Sequence, residues 1–133
     1  EQAPIINRLI ASGAETMSDC GGSATNSLVA AASYGASCFH VCKVTDDEEG
    51  ARYINSLKEA NVSHKGTMAP SDSMPTGKCL ILVTPDAKRT MTTSLSISSS
   101  MDDDDLELSE IENSKIFYIE GYMVTSEANF ACS

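Results

Sequence analysis

The chain has 133 residues, 41% of them hydrophobic and 21% charged, with 9 Lys and Arg against 19 Asp and Glu for a formal net charge of -10. That length and apolar content predict one globular domain with a core of its own and exclude a disordered chain. The negative excess excludes nucleic acid and anionic membrane surfaces as partners, since both are polyanions, and leaves small neutral or modestly charged molecules. Five cysteines, Cys20, Cys38, Cys42, Cys79 and Cys132, form an odd set without a CxxC pair. This speaks against a disulfide scaffold and for free thiols in a reducing, cytoplasmic compartment. No window approaches the roughly 20 consecutive apolar residues of a membrane span. EQAPIINRLI lacks a basic region followed by an apolar run. The chain opens at Glu1 without an initiator methionine, as a piece of a longer reading frame would.

Pro4 to Ile10 carries Ile5, Ile6, Leu9 and Ile10 at the spacing of one helix face, and Ser12-Gly13 is expected to end it. Two glycines, Gly21 and Gly22, then precede Ala24 to Tyr34, a helix of small residues with Gly35 placed as its C-terminal cap. Ala36 to Val44 (ASCFHVCKV) is a near-continuous apolar run of strand length, the pattern of a parallel strand covered on both faces. Thr45-Asp46-Asp47-Glu48-Glu49 supplies N-cap candidates and acids for the positive end of a helix running to about Ala60. That helix is expected to bury Ala51, Ile54 and Leu57, with Asn61 left-handed after it. Strand, helix and returning strand make a βαβ unit.

From Ser63 to Ser94 the character turns β-rich. Lys78 to Thr84 and Arg89 to Thr93 flank Pro85-Asp86-Ala87-Lys88, a hairpin turn. Ser94 to Ser100 reads as a serine-rich loop, Asp102 to Asp105 as a solvated, self-repelling one, and Lys115 to Tyr122 (KIFYIEGY) as a further buried strand. Cys38, His40 and Cys42 share a strand face, but positions four apart on a strand lie roughly 13 Å from each other, too far to share an ion. Core packing is the better reading of these three, and no metal site is assigned. Asp102 to Asp105 lacks the spaced ligands and central glycine of a calcium loop.

GGSATNSLVAAASYG, KVTDDEEGARYINSLKEANV, PTGKCLILVTPDAKRTM and KIFYIEGYMV follow one another in the order and spacing of the N-terminal half of the ribokinase-like (PfkB) carbohydrate kinases. The resemblance is nearest to the adenosine kinase branch and extends from about Glu15 to Val124. It implies an α/β fold, a mostly parallel sheet with flanking helices plus a small β-sheet lid. The lid is expected over 15–20 and 64–97, and the α/β core portion over 21–63 and 98–133.

The resemblance also implies roles. The double glycine Gly21-Gly22 brings backbone close to the hydroxyls of a bound sugar, and Ser23 and Asn26 join it in binding them. Glycine has no Cβ to hold a ligand away, and the unpaired N–H groups of a helix start are donors aimed at an occupant. A plain tight turn with an N-cap serine would satisfy the same letters. Glu120, at the end of the last expected strand, sits where an open α/β sheet presents ligand-binding groups, or else faces solvent. A closing lid would exclude water from a phosphoryl group, and in some members of the family the lid mediates dimerisation, so a homodimer is expected as a possibility here.

The implied reaction is transfer of the γ-phosphoryl group of ATP, with Mg²⁺, to a sugar hydroxymethyl. The catalytic aspartate of such kinases lies in a GAGD motif, which these 133 residues lack, and the usual N-terminal strand with its substrate-binding aspartate is missing too. No catalytic residue is therefore assigned, and the chain is expected to be an inactive acceptor-binding and lid portion of a sugar or nucleoside kinase. The alternative is a non-catalytic ligand-binding or dimerisation module of the same fold. CKVTDDEEG departs from the usual GKVGDDEFG at Cys42, Thr45 and Glu49. Ala87 stands where the hairpin often has glycine, and Ser96-Ile97 replaces a common glycine-alanine pair.

Overall fold

The structure, a computed structural model, describes residues 3–12 and 17–132. The first helix, α1 (Ala3–Ala11), buries Ile6 to 2% exposure. Ser12 closes it by donating its hydroxyl to the Leu9 carbonyl at 2.7 Å. Gly13, and Glu15 and Thr16 of the expected upstream lid strand, lie outside the described residues. Met17 to Cys20 carries no strand pairing. Its Ser18 is taken instead by Arg52, which donates to the Ser18 hydroxyl at 2.8 Å and to the Ser18 carbonyl.

Helix α2 (Ser23–Ser33) ends as its glycine predicts. Gly35 adopts φ 89°, and the N–H groups of Gly35 and Ala36 reach back to the carbonyls of Ala32 and Ala31 at 2.9 and 3.1 Å. This is the paired closure that a left-handed residue makes possible. Strand β1 (Phe39–Thr45), helix α3 (Glu48–Glu59) and strand β2 (Ser63–Ala69) form the expected βαβ unit, the strands parallel with His40 opposite His64 and Cys42 opposite Gly66. Asp47 caps α3, its carboxylate accepting from the Gly50 N–H at 2.7 Å and from the Thr76 hydroxyl at 2.7 Å. The same helix ends on Asn61 at φ 56°, with Asn61 and Val62 bonding back to Lys58 and Leu57.

Leu57 is fully buried and forms the core with Val62 and Cys42, against which Leu28, Val29, Tyr53 and Ile54 pack. Burying one such leucine is worth about 2–3 kcal/mol. Ala51, expected in this core, is exposed. The face of α3 toward β1 is set one residue earlier by Gly50, where a Cβ would stand 2.1 Å from the Thr45 carbonyl oxygen. Ile54 is half-buried, and it reaches the sheet because Gly66 has no side chain, a Cβ there lying 2.4 Å from Ile54 Cδ1.

The opposite side of the β1–β2 pair is held by charge. Lys43 Nζ lies 2.8 Å from Asp105 and 3.3 Å from Asp102 and donates to the Ser100 carbonyl at 2.9 Å. Lys65 donates to the carbonyls of Asp104 and Leu106 at 2.9 and 2.6 Å. The acidic run is therefore not simply a solvated loop. It folds into a 3₁₀ turn, Asp103–Asp105, and Asp105 is 2% exposed. Burial pushes the Asp105 carboxyl up, but Lys43, the Asp102 N–H and Thr67 outweigh it and hold the group below its usual range. A solvated loop was expected because the two lysines that hold it stand some 40 to 60 residues upstream.

Strands β3 (Lys78–Val83) and β4 (Arg89–Ser94) pair antiparallel as expected. Ala87 takes φ 61° in their turn, donating to the Thr84 carbonyl at 2.8 Å while Thr84 donates to Lys88 at 3.0 Å. This is the three-residue loop that favours glycine at its last position. Among the described residues the antiparallel pairing is confined to these two strands, since β2 lies in the β1 sheet. Ser94 to Ser100 is a 3₁₀ turn over Ser96–Ser99 with Ile97 buried. Two short helices follow, α4 (Leu108–Asn113) and α5 (Glu127–Ala131).

The expected strand over Lys115 to Tyr122 is not formed. Residues 116–120 run without ladder bonds and lead into a 3₁₀ turn, Gly121–Thr125, and Ile116 and Phe117 are 85% and 58% exposed. A strand exists only against a neighbour, and among the described residues β1 pairs with β2 and β3 with β4, leaving no neighbour for this segment.

Asp105→Ala would strand Lys43 without its buried counter-charge, a change that costs about 3–5 kcal/mol. Urea unfolding should show the midpoint falling accordingly, with Asp104→Ala on the exposed side of the turn nearly silent. Equal midpoints for the two variants would contradict this reading of the ion pair.

Candidate functional site

The turn before α2 requires its glycine. Gly22 is the N-cap residue at φ 114°, ψ 132°, a region that side chains other than glycine rarely enter, and no side chain caps the helix. The first backbone bond of the helix runs from Asn26 N–H to the Gly22 carbonyl at 2.8 Å. The N–H groups of Ser23, Ala24 and Thr25 thus have no acceptor among the described residues. These three donors stand at the positive end of an 11-residue helix.

Against Ser23 stands Glu120, which is half-buried. Its carboxylate accepts from the Ser23 hydroxyl on one oxygen and from the Tyr118 hydroxyl on the other, the latter at 2.9 Å. Glu120 in turn holds the Tyr118 phenol above its ordinary pKa. Ser23, residues 118–122 and Thr125 line an open cleft of about 550 Å³.

Of the residues singled out in the sequence, Ser23 and Glu120 are brought together across 97 positions of chain, and Gly21 and Gly22 form the turn that delivers Ser23. Asn26 stands exposed in the first turn of α2 and does not line the cleft. Ser23 is the first helical residue, not the N-cap. Tyr118 was missed. The signal was its place two residues before Glu120, which in an extended segment puts both side chains on one side.

A second group lies beneath the turn. Thr25, 5% exposed, places its hydroxyl 2.5 Å from the Tyr53 hydroxyl and 3.3 Å from His40 Nε2, and Tyr53 and His40 are 3.2 Å apart. His40, itself half-buried, is thus part of a partly buried polar network, in keeping with the packing role read from the sequence. Burial raises the Tyr53 phenol to about 12 and the Cys42 thiol likewise to about 12, so neither ionises near neutral pH.

The residues in hand do not fit a nucleotide with its metal. The Ser23 hydroxyl at the start of α2 is already taken by the Glu120 carboxylate, which would repel a polyphosphate, and a second open cleft is lined by Asp102, Asp103 and Asp104. Among the described residues no group of three or more His, Cys, Asp or Glu side chains could hold a metal ion. Unpaired N–H donors beside a carboxylate acceptor suit a ligand that both accepts and donates, which is the chemistry of a neutral polyol.

The sequence matches the pfkB family carbohydrate kinase profile over residues 8–132. The chain belongs to this family. Among solved structures, adenosine kinase from Sinorhizobium meliloti is 26% identical with a TM-score of 0.86, and the alignment covers 96% of this chain and 39% of that one. A probable sugar kinase from Rhizobium etli CFN 42 is 24% identical, with a TM-score of 0.85 and coverage of 98% and 39%. Adenosine kinase from Anopheles gambiae, solved with P1,P4-di(adenosine-5) tetraphosphate, is 22% identical, with a TM-score of 0.83 and coverage of 98% and 41%. The last two likenesses speak for the fold. This pfkB-family chain spans about two fifths of the length of the structures it matches. A search of curated proteins found no match. The α/β architecture, with its parallel pair, flanking helices and small antiparallel sheet, is that of ribokinase-like kinases. No helix among the described residues is long and apolar enough to cross a membrane.

His40 gives the site a pH signature. Burial, and then the neighbouring His64, hold its pKa below the ordinary 6.5. The unfolded chain therefore binds this proton first, so the stability that neutral His40 contributes is complete above about 6.5 and is lost as pH falls below that value. Asp47 and Asp105, both held below 3.8, act only in more acid solution. Thermal midpoints should decline between pH 7 and 5, and the decline should flatten in His40→Gln. An unchanged slope in that variant would count against a neutral, half-buried His40.

Proposed function

We propose that this chain is the acceptor-binding and lid portion of an ATP-dependent sugar or nucleoside kinase. The acceptor's hydroxyls would be held at Gly21, Gly22, Ser23, Asn26 and Glu120. The observation that carries the reading is the start of α2, where the Ser23 hydroxyl meets the Glu120 carboxylate in an open cleft beside backbone N–H groups that have no acceptor among the described residues. A sugar's vicinal hydroxyls can accept from the Ser23 to Thr25 N–H groups and donate to Glu120. Membership of the pfkB carbohydrate kinase family, and the likeness to an adenosine kinase at 26% identity, support a sugar or nucleoside as the class of ligand. ATP and Mg²⁺ would act on residues of the parent enzyme other than those of this cleft, and the setting would be cytoplasmic.

Of the lid expected over 15–20 and 64–97, the β3–β4 hairpin would be the part that closes over the acceptor, since β2 pairs with β1 in the other sheet. Ile81, Val83 and Met91 stand 48%, 66% and 62% exposed on that hairpin. This favours a second reading, in which the chain is a binding or dimerisation module whose hairpins pair between copies. Sedimentation equilibrium tests the pairing. A dimer that Val83→Lys and Met91→Lys disperse without loss of ligand binding supports pairing through the hairpins, and a monomer at all concentrations removes it.

Titration calorimetry of the chain with adenosine and with ribose tests the main reading. Asn26→Ala should weaken binding by about 1–3 kcal/mol, the worth of lost polar contacts, and no phosphoryl transfer from ATP should be detectable with the 133-residue chain. Unchanged affinity in Asn26→Ala would remove that residue from the site, and ATP-dependent phosphorylation would overturn the assignment of the chain as a non-catalytic portion.

A further inference from the structure

Most helices orient their first turn with a side-chain cap, which consumes one of the free N–H donors. Helix α2 has none, because its N-cap is Gly22. Its first turn is instead tied from the buried side. Thr25, the third helical residue, turns its hydroxyl inward to Tyr53 of α3 at 2.5 Å, and Tyr53 lies 3.2 Å from His40 Nε2 on β1. A Cβ on Gly22 would stand 3.2 Å from the Thr25 hydroxyl oxygen, so the turn rests directly on this group. With Nε2 of a neutral His40 as the terminal acceptor, Tyr53 donates to His40 and Thr25 donates to Tyr53, and each hydroxyl proton has a place.

The geometry points to Thr25, Tyr53 and His40 as a positioning network that fixes the first turn of α2 from below so that its outward N–H donors stay open for a ligand. This rests on the reading of that turn as the acceptor site. None of the three side chains lines the cleft; they act through the backbone of residues 22–26. The titratable groups facing His40 are Tyr53 from α3 and His64 from β2, with Cys20 and Cys42 next to Tyr53, while α2 contributes only the uncharged Thr25 hydroxyl. Protonation of His40 would turn its acceptor into a donor and break the order of the network.

Amide hydrogen exchange on the 133-residue chain tests this without a ligand. In Tyr53→Phe and in Thr25→Val, which keep the side-chain volume, protection of the Asn26 and Ser27 amides should fall at least tenfold. Protection of Tyr34 and Gly35 at the far end of the same helix, and of Leu57, should stay within twofold. Thr25→Ser should restore the wild-type pattern. In the wild type the protection of Asn26 and Ser27 relative to Tyr34 should drop as the pH is taken below 6.5 and His40 is protonated, and Tyr53→Phe should abolish that step. A uniform loss across the helix, or no loss at all, would overturn the proposal, as would a pH step that persists without the Tyr53 hydroxyl. Adenosine titration of the same proteins separates the two claims. If wild type binds, both variants should bind at least fivefold more weakly, and equal affinity would overturn the positioning role. If wild type does not bind adenosine or ribose while the exchange pattern holds, the acceptor reading fails and the network stands.

Discussion

The contact between Lys43 and Asp105 ties the two halves of the described chain together. Lys43 stands on the face of β1 away from the apolar core, and its ammonium gathers Asp105, Asp102 and the Ser100 carbonyl. The segment so anchored then organises the rest. Asn129, 6% exposed, donates to the Ser98 carbonyl at 3.0 Å and accepts from the Met101 N–H at 3.0 Å, while Ser126 donates to Ser99 at 2.7 Å. Through these bonds the chain on either side of residues 118–122 is fixed, and Glu120 comes to lie against the start of α2. An ion pair of this kind need not add stability over an apolar replacement. What it supplies here is a single register between β1 and a polar segment that could not find one by hydrophobic packing alone.

The two faces of β1 thus do different work. Leu57, Val62 and Cys42 make a small apolar core on one side, with the small-residue helix α2 drawn close to it. That closeness lets Thr25 reach Tyr53 and His40, so the same packing that stabilises the domain orients the turn at Gly21-Gly22. The candidate site is therefore a surface whose donors are left free by the absence of a cap and held still by contacts behind them. Its one charged group, Glu120, suits a partner that offers hydroxyl protons and disfavours an anion.

Much of this was legible in the sequence because it is local. Gly35 and Asn61 each announce a left-handed helix end, Asp47 announces a cap, and the alternation of Cys38 to Val44 with α3 announces a parallel return. Even the departures from the family pattern make sense in place: Thr45, where glycine is usual, donates its hydroxyl to the Met74 carbonyl at 2.5 Å, and Glu49, where an aromatic is usual, pairs with Lys78 at 3.4 Å. What the sequence hid is non-local. Asp105 reads as one acid in a run of four until Lys43 is brought under it. Residues 115–122 read as a strand because the letters are apolar and β-prone, but pairing depends on a neighbour that no local pattern reveals. Ala51 was misplaced by one turn position because the close contact of Gly50 with the Thr45 carbonyl rotates α3 on the sheet.

The central claim is that the start of α2 and the Glu120 cleft form one acceptor site in a pfkB-family chain. The most direct measurement is a nitrogen-15 correlation spectrum of the labelled 133-residue chain recorded while adenosine is added. The account predicts saturable shifts at Gly21 to Asn26 and at Tyr118 to Tyr122, largest at the unpaired amides of Ser23 to Thr25, with α4 unmoved. Shifts confined to other parts of the chain, or none with either adenosine or ribose, would contradict it.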